Sequence, residues 1–214
     1  MEKPNPLKEA LGTGLRHLWD LMVLNWMWFL CSLPIITIGP ATCAMYACTL
    51  KLSKDYPVNP ARDFLAAFRS NFRPALLLGL LSGIIAVVAA GDIWFAMQQT
   101  DSLKNMYLVI GIIVAAVFLT IESYAFSLKA LFENPLKEQL LNAFKLAFVA
   151  PGKTVSLWMI TILPVLVLVG LPMSWVAPLG FLYIILGASG PAYLNARILN
   201  GIFDKVNGSP VIPE

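Results

Sequence analysis

Charge is what this sequence has least of. Asp, Glu, Lys and Arg make up 13% of its 214 residues, about half the share of an ordinary soluble domain. The 15 Lys and Arg against 12 Asp and Glu leave a net charge of only +3, so there is no basic face for nucleic acid. One His and three Cys leave little for a His-based metal site or a Ser-His-Asp triad. No Walker A, HExxH or CxxC pattern is present. No catalytic residue, metal ligand or cofactor is therefore expected, and the chain is not read as an enzyme. Cys31, Cys43 and Cys48 all lie in apolar sequence and are read as small buried residues, not as a disulfide framework. A short apolar region with a small-residue cleavage site, the mark of a secretory signal, is also missing. The first apolar run is accordingly read as retained membrane structure.

What is there is apolar. Hydrophobic residues make up 58% of the chain and the mean hydropathy is +0.75. That composition points to an all-α, polytopic membrane protein in one domain. Pro74–Met97 carries Asp92 as its one charge and Met106–Leu128 carries Glu122. Thr154–Leu171 and Ala177–Ala196 carry none. At about 1.5 Å per residue each covers roughly 27–36 Å, enough for a bilayer core of about 30 Å. The run from Leu18 to Leu50 is broken by Pro34, Gly39 and Pro40, which argues against one continuous helix. It is read as two arms, 18–33 and 40–54, either a short hairpin or a re-entrant one buried against protein. Pro40 suits a first helical turn and Thr37 is expected to cap its open N–H groups.

Positive charges orient the spans. Lys3, Lys8 and Arg16 precede the first span. Lys51, Lys54, Arg62, Arg69 and Arg73 fill 51–73, and Lys129, Lys137, Lys145 and Lys153 fill 129–153. Loop 98–105 has Lys104 alone and 172–176 has none. The positive-inside rule then places both termini and the two long loops in the cytoplasm. About six spans result, arranged as hairpins 18–54, 74–128 and 154–198 with a tail at 199–214. Five spans with an external N-terminus is the alternative. Trp19, Trp158, Trp94 and Trp175 fall near span ends, as interfacial residues do. Trp26 and Trp28 lie deeper, on different sides of a helix, and are read as packing or lipid contacts.

Tyr46-Ala47-Cys48-Thr49-Leu50-Lys51 resembles Tyr124-Ala125-Phe126-Ser127-Leu128-Lys129. Asn-Pro follows each copy, at 59–60 and 134–135, and then an amphipathic stretch with Ala-Phe. The shared order suggests a duplicated hairpin followed by a cytoplasmic linker helix, at 60–72 and 135–148. Asn59 and Asn134 are expected as caps, with Pro60 and Pro135 at the first helical position. Each helix has an apolar stripe beside cations. It is read as lying on the membrane surface or docking a cytoplasmic partner, two compatible roles since one face can sit on lipid while the other meets a partner, the docking residues being Arg62, Phe68, Arg69, Lys137, Phe144 and Lys145.

The candidate functional residues are Glu122, Asn25 and Asn195 within apolar stretches, and Arg197 at the end of the last span. Glu122 is the foremost, because an ionisable group at membrane depth is costly. It is expected to relay protons, bind a cation, pair with Arg197 or Lys129, or stand as a protonated, hydrogen-bonded acid. Asn25 and Asn195 are expected to bridge helices. Asp92 and His17 are read as solvated interfacial groups.

Asn25-Trp26, the turn Leu33-Pro34-Ile35-Ile36-Thr37-Ile38-Gly39-Pro40-Ala41 and Tyr46 resemble the YesL-like family of bacterial membrane proteins, a domain of unknown function. The likeness covers about residues 5–205. It implies a small multi-pass protein of the bacterial cell membrane, encoded near carbohydrate ABC importers, glycoside-degrading enzymes or two-component sensors. It supplies no catalytic residues. Three functions stay open. The first is an accessory component of a carbohydrate uptake or sensing system, with the lipid bilayer and importer subunits or a sensor kinase as partners. The second is a transporter or ABC permease-like subunit. Against the permease form, Ala66-Ala67 lacks the preceding Glu and following Gly of the E-A-A…G docking helix. The third is a membrane enzyme acting on a lipid-linked sugar, disfavoured by the poverty of His, Asp and Glu.

Overall fold

The computed structural model describes residues 6–100, 103–170 and 172–207. Among them every regular element is helical. The elements are α1 (Pro6–Cys31), a 3-10 turn (Ile35–Thr37), α2 (Ile38–Leu52), α3 (Pro60–Ser70), α4 (Phe72–Gln98) and α5 (Leu103–Thr120). A π-helical segment (Ile121–Ala125) leads into α6 (Phe126–Leu131), followed by α7 (Leu136–Val149), α8 (Pro151–Gly170), α9 (Met173–Leu186) and α10 (Ser189–Asn207). By length and composition, Ile35–Leu52, Phe72–Gln98 and Leu103–Leu131 can each cross a membrane. Two bent pairs, α7 with α8 at 109° and α9 with α10 at 54°, raise the number to 5 if each is one span. The expected six is thus a finer division than these helices establish, and α1 is not among them.

α2 is the centre of the fold. Its span is 61% buried, against 17% and 22% for the spans of α4 and α5. Cys43, Tyr46 and Leu50 enter one core cluster with Leu78, Tyr124, Phe126 and Leu199. Ala41, Ala44, Met45 and Cys48 enter a second with Leu24, Phe64 and Ala192. A helix that is apolar all round is an interior helix, so the second arm of the first hairpin is buried against protein. The close contact begins at Gly39, where an added Cβ would meet the Ala75 carbonyl oxygen and stand 2.8 Å from the Gly79 Cα. Two glycines let α2 and α4 touch backbone to backbone.

The turn at 32–37 forms where proline and glycine placed it, with one change. Thr37 makes no cap bond to α2. Its hydroxyl instead donates to the Cys31 and Pro34 carbonyls, both at 2.6 Å. The turn leaves carbonyls of α1 open, and a hydroxyl one residue before α2 reaches them first. Pro40 sits buried in the first turn of α2. Boundaries shift as well. α1 begins at Pro6, well before 18. Residues 199–207, expected in the tail, belong to α10, where Leu199, Ile202 and Phe203 are core.

Both linker helices exist. Asn59 caps α3 by accepting from the Arg62 amide at 3.2 Å, while Asp63 accepts from the Asn59 amide at 2.9 Å. Asn134 does not cap α7. The helix begins at Leu136, with extended Pro135 in the cap position and no side-chain cap bond. The two Y-A-x-[ST]-L-K segments pack on each other through α2 and α6. Thr49 and Ser127 each donate back to a carbonyl four residues earlier, at 2.9 and 3.0 Å. The correspondence ends there, since Tyr124 lies in π-helix and Tyr46 in α-helix. The architecture does not support two copies of one unit.

Candidate functional site

The one acidic residue of the α5–α6 span lies where that span deforms. Residues 121–125 form a π-helical segment, a widened turn that often marks a functional position. Glu122 is its second residue. Gln139 of α7 donates to the Ala125 carbonyl at 2.6 Å, and the Tyr124 hydroxyl bonds the Thr154 hydroxyl at 2.8 Å. These bonds tie the widened turn to the α7–α8 corner.

Glu122 meets α4. The Ser82 hydroxyl donates to its Oε1 at 2.6 Å. Ser82 is one turn beyond Gly79, so the Gly39–Gly79 approach sets its distance from α2. No Lys or Arg among the described residues pairs with Glu122, so the expected ion pair to Arg197 or Lys129 does not form. Arg197 is exposed on α10, and Lys129 is buried on α6, the helix that faces α2.

Two cavities are lined by this carboxylate. The larger, about 650 Å³, runs between the 3-10 turn, α2 and α4, past Ile35, Ile36, Gly79, Ser82, Ile84 and Val87. The smaller, about 190 Å³, lies between Tyr46, Thr161, Tyr183, Gly187 and Asn195. Trp28, Thr42 and Glu122 line both. The Trp28 Nε1 donates to the Thr42 hydroxyl at 3.2 Å, which holds the indole between the cavities. Trp26 points elsewhere, exposed beside Phe29. The two tryptophans do face different sides, but Trp28 is a wall of the site.

Both asparagines bridge helices. Asn25 on α1 serves the break between α9 and α10. Its amide donates to the Ile184 carbonyl at 2.6 Å, and its oxygen accepts from the Ala188 and Ser189 amides at 2.9 and 3.1 Å. It satisfies the backbone groups that the break would leave open. Asn195 on α10 donates to the Thr161 hydroxyl of α8 at 3.0 Å. Its Oδ1 is buried and accepts no hydrogen bond. Asn200 was not singled out in the sequence, yet it ties α10 to the end of α2, donating to the Leu50 carbonyl and the Ser53 hydroxyl.

The linker-helix candidates divide by chemistry. Phe64 is fully buried, and Phe68 stacks on it and meets Phe72 edge-on. Phe144 is half-buried, while Arg62, Arg69, Lys137 and Lys145 are exposed. The aromatic stripe of α3 therefore packs on its own bundle and the cations face out. His17 is less solvated than expected, its side chain 18% exposed and 3.5 Å from Asp55. Asp92 is half-buried. The side chain of Trp175 lies outside the described residues. No group of three or more His, Cys, Asp or Glu suited to a metal occurs among the described residues.

Fold and site together define a helical membrane-type protein with an unpaired carboxylate facing a cavity within its bundle. Residues 21–93 match the family described as "Protein of unknown function, DUF624". The chain is 31% identical to "Uncharacterized protein YesL" of Bacillus subtilis (strain 168) over 156 residues, 68% of this chain and 72% of that protein. The chain belongs to the YesL-like family of proteins of unknown function. The family match spans Asn25, Trp28, Gly39 and Ser82 but ends before Glu122 and Asn195. No solved structure matches.

Proposed function

We propose that the protein is a multi-pass accessory component of the bacterial cell membrane that works by association with a carbohydrate uptake or sensing system. Its partners in this reading are the bilayer and an importer subunit or membrane sensor kinase. Both termini and both linker helices face the cytoplasm, and six spans hold them there. The observation that carries the reading is the seating of α3 and α7. Their apolar sides are fixed on the bundle by Phe64 and by the Gln139 bond to Ala125. Arg62, Arg69, Lys137 and Lys145 remain exposed at fixed positions. Rigid cationic faces of this kind suit an acidic partner surface and contribute specificity and on-rate. The sugar-related context comes from the family resemblance. The reading assigns no catalytic step.

A second reading, a transporter, is favoured by the cavity at Glu122, because intramembrane carboxylates commonly line substrate or ion pathways.

The test is crosslinking in cells at native expression, gentle solubilisation and identification of co-purifying proteins. Importer subunits or a sensor kinase are expected with the natural chain. Charge reversal in R62E/R69E or K137E/K145E is expected to remove them while membrane insertion persists. Recovery of the chain alone as a defined oligomer, or of the same partners with every variant, refutes the accessory reading.

A further inference from the structure

We infer that the two cavities that share Glu122 form a binding site for an organic ammonium that carries an apolar arm. The inference stands apart from the partner reading above, because it concerns the bundle interior and not the linker helices.

The argument starts from unmet hydrogen-bonding capacity. A carboxylate is acceptor-only, with room for several donors, and Ser82 is the one donor that reaches Glu122 among the described residues. Asn195 Oδ1 is a second acceptor, buried and unpartnered, on a residue 1% exposed that lines the smaller cavity. Buried acceptors left without donors are costly. A ligand that relieves both must donate. Among the described residues no Lys, Arg or His lines either cavity, so nothing there would neutralise an anionic ligand, whereas a cationic ligand would complement the ionised form of Glu122.

The walls narrow the class. Trp28, Tyr46 and Tyr183 surround the smaller cavity. Aromatic faces beside a carboxylate are the recurrent recognition chemistry for ammonium groups, through cation–π attraction. A primary ammonium offers three donors, enough for Glu122, Asn195 and one hydroxyl. The volume of about 190 Å³ suits such a head, since a cavity of about 150 Å³ holds a benzene. The larger cavity supplies the place for the arm. Its walls include Ile35, Ile36, Ile84 and Val87, all exposed on the outside of the bundle. It therefore opens sideways, toward the acyl chains that would surround these residues in a bilayer. Head at Glu122 and arm along α4 is the arrangement that uses both cavities at once.

The test uses the purified full-length protein in a neutral detergent, with n-octylammonium as probe and 1-octanol and octanoate as controls. The readouts are tryptophan fluorescence and the ligand-dependent rise in melting temperature. Octylammonium is expected to bind saturably, at least about tenfold more tightly than either control, the scale of a charge-assisted hydrogen bond. E122Q is expected to remove that preference and leave octanol unchanged. W28F is expected to abolish most of the fluorescence response. Should E122Q fail to fold, G83L serves instead. Gly83 lines the larger cavity and has nothing within 4 Å of an added Cβ, so a leucine side chain can start there without a backbone clash and occupy the arm's place. It is expected to weaken octylammonium at least about fivefold while methylammonium is unaffected, because only the longer chain needs that space. Equal binding of octanol or octanoate, a non-saturating response, or unaltered octylammonium binding in both variants overturns the inference.

Discussion

Alanine at Gly39 tests whether the backbone contact between α2 and α4 holds the site together. A methyl there would stand 2.8 Å from the Gly79 Cα and 3.1 Å from its nitrogen. It would also press on the Ala75 carbonyl oxygen. Ordinary contact begins at 3.4 Å, so the methyl lacks about 0.6 Å against backbone, which has no rotamer by which to yield. The helices must part, and overpacking of this kind typically costs about 1–3 kcal/mol. The reverse substitution meets the same obstacle, since a Cβ at Gly79 lies 2.7 Å from the Gly39 Cα. Gly83 and Gly91, on the same α4, have nothing within 4 Å of an added Cβ. Alanine at either is expected to cost nothing, or to stabilise by up to about 1 kcal/mol through helix propensity. The assay is equilibrium unfolding in mixed micelles with G39A, G79A, G83A and G91A side by side. A second consequence is local. Ser82 lies one turn from Gly79, so parting the helices shifts the 2.6 Å bond to Glu122, and ligand response at the cavity should weaken in G79A but not in G91A. Equal cost for all four alanines would refute the packing argument, as would a neutral G39A.

Three further outcomes follow from particular bonds. N25L leaves the Ile184 carbonyl and the Ala188 and Ser189 amides unpaired at the α9–α10 break; it is expected to lower stability by about 3 kcal/mol or more in the same unfolding assay. N59A removes the α3 cap and is expected to cost about 1 kcal/mol; N134A, with no cap bond to lose, is expected to change stability by less than about 0.5 kcal/mol. For topology, single cysteines at exposed Lys104 and Lys137, in a chain with Cys31, Cys43 and Cys48 replaced, are expected to label differently. Lys104→Cys reacts with an impermeant thiol reagent in intact cells and Lys137→Cys only after permeabilisation; the reverse order overturns the proposed orientation.

Local chemistry was legible and long-range chemistry was not. Pro34, Gly39 and Pro40 announced the first turn because they act within a few residues. Asn59-Pro60 announced α3 for the same reason. Asn134-Pro135 carries the same letters and behaves differently, because α7 is fixed by its Gln139 bond to Ala125 and not by its cap. Asn25 read as a helix bridge, yet nothing nearby in the chain named its partners, more than 150 residues away. Ser82 is a polar residue between Gly79 and Gly83 in a span whose one charge is Asp92. That spacing is a signal in retrospect, a small face that lets another helix come close.

Glu122 shows why pairing could not be read from spacing alone. In a regular α-helix, positions seven apart return to nearly the same face, which made Lys129 a natural counter-ion. The π-helical segment at 121–125 intervenes. A wider turn advances less per residue, so the two side chains no longer share a face. Lys129 goes with α6 toward α2, while Glu122 goes toward Ser82. The segment is held from outside as well: Gln139 of α7 donates to its Ala125 carbonyl, and Thr154 of α8 bonds the Tyr124 hydroxyl. Tyr46 of α2 and Asn195 of α10 converge on the same space from the far side. A carboxyl group without an ion pair among the described residues, held by one serine and sharing a cavity with the unpartnered Asn195 Oδ1, is arranged to meet something outside the chain.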